Sequence, residues 1–227
     1  AYEIRNCDWS SDVCSSDLEI DQNTALHVSK HQLKVIGFDE DDTLWLNEVH
    51  YRRAESQFAR LMEPWLTERE ACKELFRTEI QTLDLYGYGA KSFTLSMITA
   101  AISISNGQVE SDVISQIIRL GNTLIKAPLE LLDNVAEVLA RLQSDYRLIV
   151  ATKGDLLDQE RKLKNSNLEQ YFHHVEIMSD KTPDSYRKLI RHLDINPEEF
   201  LMVGKDRKST RLNSVTVPYL VCRLLLE

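Results

Sequence analysis

A chain of 227 residues with 43% hydrophobic and 28% charged residues has the composition of an ordinary globular protein, and no apolar run approaches the ~18 residues that a membrane helix needs. The formal charge of −9 argues against a nucleic-acid backbone as partner, since such partners are met by a clustered basic face. Cys7, Cys14, Cys72 and Cys222 form no CxxC pair and no zinc spacing, so reduced thiols are expected, and the lack of a basic start with an apolar stretch favours a cytoplasmic location.

Residues 1–18, AYEIRNCDWSSDVCSSDL, have neither helical nor strand periodicity. The string resembles the in-frame translation of sequencing-adapter DNA, and DRKSTRLNS at 206–214 resembles its counterpart from another frame. Residues 1–18 and 206–227 are therefore expected to be non-native tails, the second replacing the end of the core, with the native segment running from Glu19 to Lys205.

Leu33 to Phe38 is a short apolar run followed at once by charges, the pattern of a buried parallel strand ending at a site. From about His50 to Ile125 the pattern is helical: Thr67 and Glu70 make a capping box, and Val113, Ile117, Leu120 and Leu124 form an apolar stripe. Turns at Tyr86–Gly89 and Asn106–Gly107 divide this block into three or four helices. Beyond Pro128 a helix with Val135, Val138, Leu139 and Leu142 leads to a strand at Arg147–Ala151 and a helix from about Asp155. Strands at His174–Met178 and Phe200–Val203 flank a helix at Pro183–His192. Alternating strands and helices predict an α/β fold, a Rossmann-like parallel sheet core over 19–48 and 130–205, with an all-helical cap inserted at 49–129.

Asp39, Glu40, Asp41 and Asp42 follow the first strand directly. Like charges this close repel by roughly 1 to 4 kcal/mol, so a strand edge rarely concentrates them unless a cation or a reaction uses them. Ligands of such sheets sit outside the carboxyl ends of the strands, where these acids fall. Extended backbone would send Asp39 and Asp41 to one side and Glu40 away.

The phrase FDEDDTLW, with DxDxT after an apolar strand, resembles the first motif of the haloacid dehalogenase superfamily, in particular its phosphatases with a helical cap inserted just after it. LIVATKG, ending at Thr152, is similar to the second motif, and SDKTP, with Lys181, to the third. The fourth begins at Phe200–Gly204 and then departs: Lys205 follows Gly204 where an acid or amide is expected, Asp206 is displaced by one position, and Thr210 stands where a later acid would fall. The resemblance implies that Asp39 attacks phosphorus and that Asp41 is the general acid and base. It implies that Thr152, with the amides of Lys153 and Gly154, binds phosphate oxygens, and that Lys181 neutralises charge. It also implies Mg2+ held by Asp39 and the Asp41 carbonyl.

The expected function is hydrolysis of a small phosphorylated metabolite through an aspartyl phosphate, impaired by the altered fourth motif. The alternatives are a phosphate-binding or interaction protein without turnover and a 2-haloacid dehalogenase, which normally lacks the second Asp. Neither the substrate nor the oligomeric state is legible. Asp42 reads as an acid at a positive helix end, His173 and His174 as structural, and Cys72 and Phe93 as packing residues.

Overall fold

The computed structural model describes residues 33–204. The readings of 1–18 and 206–227 as tails, and of Lys205, Asp206 and Thr210, lie outside the described residues.

β1 (Val35–Phe38) is buried along its whole length, as an uninterrupted apolar run requires. Four helices follow with no strand between them: α1 (Glu48–Leu61), α2 (Glu68–Tyr86), α3 (Ala90–Ile104) and α4 (Ser111–Ile125). α2 opens on the expected capping box, in which Thr67 Oγ1 accepts from the Glu70 amide while the Glu70 carboxylate accepts from the Thr67 amide at 3.0 Å. α3 starts after Gly87 and Gly89, both at positive φ, which only glycine adopts without strain. The four helices share a core of their own, centred on Phe58, Met62, Leu75, Phe93, Met97 and Ile117, and Cys72 packs within it.

α3 and α4 approach so closely that a Cβ on Gly121 would sit 2.0 Å from Thr94 Oγ1 and 2.7 Å from its Cγ2. Gly121→Ala would gain about 1 kcal/mol of helix propensity, but overpacking costs about 1–3 kcal/mol and requires the two helices to separate. A net loss of about 1 kcal/mol in urea unfolding is expected; an unchanged or raised midpoint would show that Thr94 moves aside freely.

The second half alternates: α5 (Val135–Leu142), β2 (Arg147–Lys153), α6 (Leu156–Ser166), β3 (His174–Met178), α7 (Pro183–His192) and β4 (Phe200–Val203). Among the described residues these strands and β1 form one parallel sheet in the order β3-β2-β1-β4, with Val35 opposite both Arg147 and Phe200. Side-chain alternation divides its two faces. Ile36, Phe38, Leu148 and Val150 pack with Leu139 of α5 and Leu163 of α6. Val35, Ile149, Ala151 and Met202 pack with Leu189 and Ile190 of α7. Such alternation delivers Thr152 to the α6 face and Lys153 to the α7 face. None of the described helices is long and apolar enough to cross a membrane.

Candidate active site

β1 and β2 lie side by side in the middle of the sheet, so the residues after Phe38 and at the end of β2 share one edge. The Asp39 amide donates to the Val203 carbonyl at 2.8 Å, which prolongs the β1–β4 pairing by one step and fixes where the Asp39 side chain starts. Its Oδ1 accepts from the Glu40 amide at 2.9 Å and from Lys181 Nζ at 2.6 Å. Lys181 stands just before α7, whose first turn is secured by Thr182 accepting from the Ser185 amide and by Pro183 at the first helical position. Residues 142 positions apart in sequence thus meet across the sheet edge, as a charge-assisted pair.

Asp39 and Glu40 alternate between the two faces as extended backbone demands, but Asp41 does not continue the pattern. The chain reverses between Asp41 and Trp45, with Asp42 at φ 58° and its amide donating to the Trp45 carbonyl at 2.8 Å. Asp41 therefore turns to the side of Glu40 and α6, which corrects the expectation that it shares a side with Asp39. Its carboxylate is held by Lys162 Nζ at 2.6 and 2.8 Å and by Trp45 Nε1 at 3.0 Å. Asp42 does serve a helix end: its carboxylate accepts from the amides of Asn47 and Glu48 at the start of α1.

Gln159 of α6 joins these groups. It is 2% exposed, and its Nε2 donates to Glu40 Oε2 and Thr152 Oγ1, both at 2.9 Å, and lies 3.4 Å from Asp41 Oδ2. Glu40 is fully buried, and its Oε1 has no hydrogen-bond partner among the described residues. Burial first, then the neighbouring Asp41 charge, pushes its carboxyl from 4.5 up to about 8, against the pull of Lys162. Gly154 sits at φ 146°, and a Cβ there would meet Gln159 Cδ at 3.2 Å, so the residue after Lys153 has two reasons to be glycine.

Lys153 belongs to the other face. Its Nζ lies 4.0 Å above the Tyr88 ring and 3.7 Å from Asp180, which brings the turn between α2 and α3 against the sheet edge. Burial and the Asp180 carboxylate raise the Tyr88 phenol. Lys91 of α3 pairs with Asp155 at 2.8 Å. His174 pairs with Glu176 and stacks on His192, away from these groups, in keeping with a structural role.

Sequence reasoning missed Gln159, Lys162 and the buried role of Glu40. Gln159 and Lys162 lie three apart on the helix that follows the Thr152–Gly154 loop, hence on one face of it. That spacing is a signal available in the sequence, but only once α6 is known to lean on the segment after β1.

Among the described residues no group of three or more His, Cys, Asp or Glu is placed to hold a metal ion. Magnesium does not need one: it commonly takes one or two protein oxygens and completes its shell with water and phosphate. Asp39 is suited to that habit. A Cβ on Gly204 would lie 3.2 Å from Asp39 Cβ and 3.7 Å from its Oδ2, so the absent side chain leaves this carboxylate approachable.

The profile of haloacid dehalogenase-like hydrolases matches residues 33–205. The chain belongs to this family. A haloacid dehalogenase-like hydrolase from Xanthomonas campestris is similar at 35% identity over 77% of this chain and 74% of that one, with a TM-score of 0.74. A structure described as a predicted phosphoglycolate phosphatase from Haemophilus somnus shares 21% identity over 77% of each chain, with a TM-score of 0.52, and a structure described as a dehalogenase shares 18% over 77% of each, with a TM-score of 0.51. These last two bear on the fold alone. No curated protein matches the chain. The haloacid dehalogenase-like chain is thus a hydrolase whose fold occurs in structures described as phosphatases and as dehalogenases alike.

Proposed function

We propose that this hydrolase cleaves small phosphate monoesters through an aspartyl phosphate on Asp39. The observation that carries the reading is a second carboxylate, Asp41, which follows the Lys181-paired Asp39 by two residues at the same sheet edge and is held by Lys162. A halide leaves carbon without a proton, so dehalogenation has no use for an acid there. An alkoxide leaving phosphorus needs one.

An Asp39 oxygen attacks phosphorus as the ester P–O bond breaks, and the departing oxygen takes a proton from Asp41. Water then attacks the aspartyl phosphate with Asp41 as base, which restores Asp39 and releases phosphate. Lys181 offsets negative charge on Asp39 and on the phosphoryl oxygens, and the buried Thr152 hydroxyl binds one of those oxygens. Asp39 and the Asp41 carbonyl would hold a Mg2+ ion, which would supply the charge neutralisation that a dianionic ester needs at an acidic edge. The helices α1–α4 act as the cap, with Tyr88 and Lys91 at the face that meets the sheet edge.

Release of phosphate from an aryl phosphate, abolished by a chelator and restored by Mg2+, tests this reading. Halide release from a 2-haloacid without phosphate release would overturn it. Asp41→Asn should slow alkyl phosphates by about a hundredfold or more, the usual scale of general acid catalysis, and aryl phosphates much less, because a phenolate leaves with little protonation. Equal deficits for both ester types would remove Asp41 from the acid role.

A further inference from the structure

The chain reversal after Asp39 puts the Asp41 carboxylate on the α6 side of the sheet edge, where Lys162 Nζ holds both of its oxygens and Trp45 Nε1 holds one. An acid protonates an oxygen within its hydrogen-bond reach, so the leaving group of an ester must lie on that side too. A cavity is found there. Trp45 and Lys162, the side chains that hold Asp41, line it together with His50 of α1, Ala90 of α3, Pro128 after α4 and Asp158 of α6. Its volume is about 30 Å³, and a water needs roughly 10–15 Å³ of such space, so it has room for the end of a short chain. Most of the lining side chains are apolar, and one polar atom among them is left over: His50 Nε2 is buried and has no hydrogen-bond partner among the described residues. A buried ring nitrogen without a partner is costly, so a group that pairs with it is favoured.

We propose that this cavity receives the leaving alcohol of the ester and that His50 is a specificity-determining residue, pairing through Nε2 with a further hydroxyl on that alcohol. The proposal rests on the phosphate-monoester reading of the site and narrows its substrates to phosphates of short, neutral, hydroxylated alcohols. A neutral end is selected because both charged side chains in the wall are already engaged. Lys162 is bound to both oxygens of Asp41, and Asp158 pairs with Arg161 and would repel a carboxylate. A hydroxyl suits either tautomer of His50, since it can donate to a bare ring nitrogen or accept from a protonated one. Such a site has the usual character of a small-molecule pocket, an apolar wall with one placed polar group that sets specificity.

The test compares 2-hydroxyethyl phosphate with propyl phosphate, which has a methyl where the first has its hydroxyl, using the full chain with Mg2+ and phosphate release as the readout. A hydroxyl that pairs with an otherwise unpartnered buried nitrogen should raise kcat/KM about tenfold or more. His50→Phe keeps a ring without the nitrogen, and His50→Leu is a second apolar replacement should circular dichroism show the first unfolded. Either should lower the ratio of the two esters about tenfold, and the variants supply the baseline, since the two alcohols differ in acidity. The ratio is read because a change that only disturbs α1 lowers both rates together. Carboxymethyl phosphate, with a carboxylate at the same place, should react more slowly than 2-hydroxyethyl phosphate. No preference for the hydroxyl in the parent, or a preference unchanged in the His50 variants, overturns the proposal and means that the cavity holds water only. Faster cleavage of carboxymethyl phosphate overturns the neutral substrate class. A parent that cleaves an aryl phosphate without preferring the hydroxyl overturns this proposal alone, whereas a parent that releases phosphate from no ester overturns the phosphate reading and this proposal with it.

Discussion

Asp39→Asn is expected to cut phosphate release by roughly a thousandfold or more while leaving the chain folded. The amide keeps the shape of the carboxylate and still accepts from the Glu40 amide, which reaches Asp39 Oδ1 at 2.9 Å. It has no anionic oxygen to attack phosphorus, so the aspartyl phosphate does not form. A thousandfold corresponds to about 4 kcal/mol of barrier. The change also leaves Lys181, now 2.6 Å from Asp39 Oδ1, without its anion. Lys181 keeps part of its surface in solvent, so that loss is small beside the lost nucleophile, and thermal unfolding measured alongside the rates separates the two effects. Phosphate release within tenfold of the parent would remove Asp39 from the nucleophile's role, even with the pairing to Lys181 intact.

The elements were legible because their signals are local. The capping box at Thr67 and Glu70, the glycine turn before α3 and the apolar runs of the four strands each lie within a few residues, and each element appears where its run predicts. The placement of the acids followed from the same logic: β1 must end where Asp39 begins, because a charge cannot follow Phe38 into a strand buried on both faces. What escaped was set by distant contacts. Asp41 leaves the alternating pattern because Trp45, fully buried and bridged to Leu131, pulls the chain into a reversal that no periodicity within 39–45 encodes. Gln159 and Lys162 read as ordinary polar positions of a helix with few apolar residues. Their roles appear only when α6 packs on the same sheet face as Thr152, and the strand order that puts β2 beside β1 is a product of the whole fold.

Glu40 carries the other large effect, on stability. Its carboxyl is fully buried, takes a hydrogen bond from Gln159 and lies between two acids, so burial and then Asp41 hold it protonated up to about pH 8, against the pull of Lys162 and the Thr152 hydroxyl. In the unfolded chain the same group loses its proton near 4.5. Between these values the folded state binds one more proton than the unfolded state, so stability falls as pH rises through this window. The contribution is fully present below about 4.5 and gone above about 8. At about 1.4 kcal/mol for each pH unit, a rise from 4.5 to about 8 sets an upper bound of about 5 kcal/mol. Glu40→Gln removes the titration, and its amide oxygen can still accept from Gln159, so the variant should gain stability over the parent as pH is raised from 5 to 8.5. Urea unfolding of both proteins at intervals across that range, with a chelator present so that no metal charge enters the balance, measures the difference. A difference that stays constant with pH would mean that Glu40 is ionised in the folded protein. Lys162, which already neutralises Asp41, would then have to be offsetting a second buried carboxylate as well.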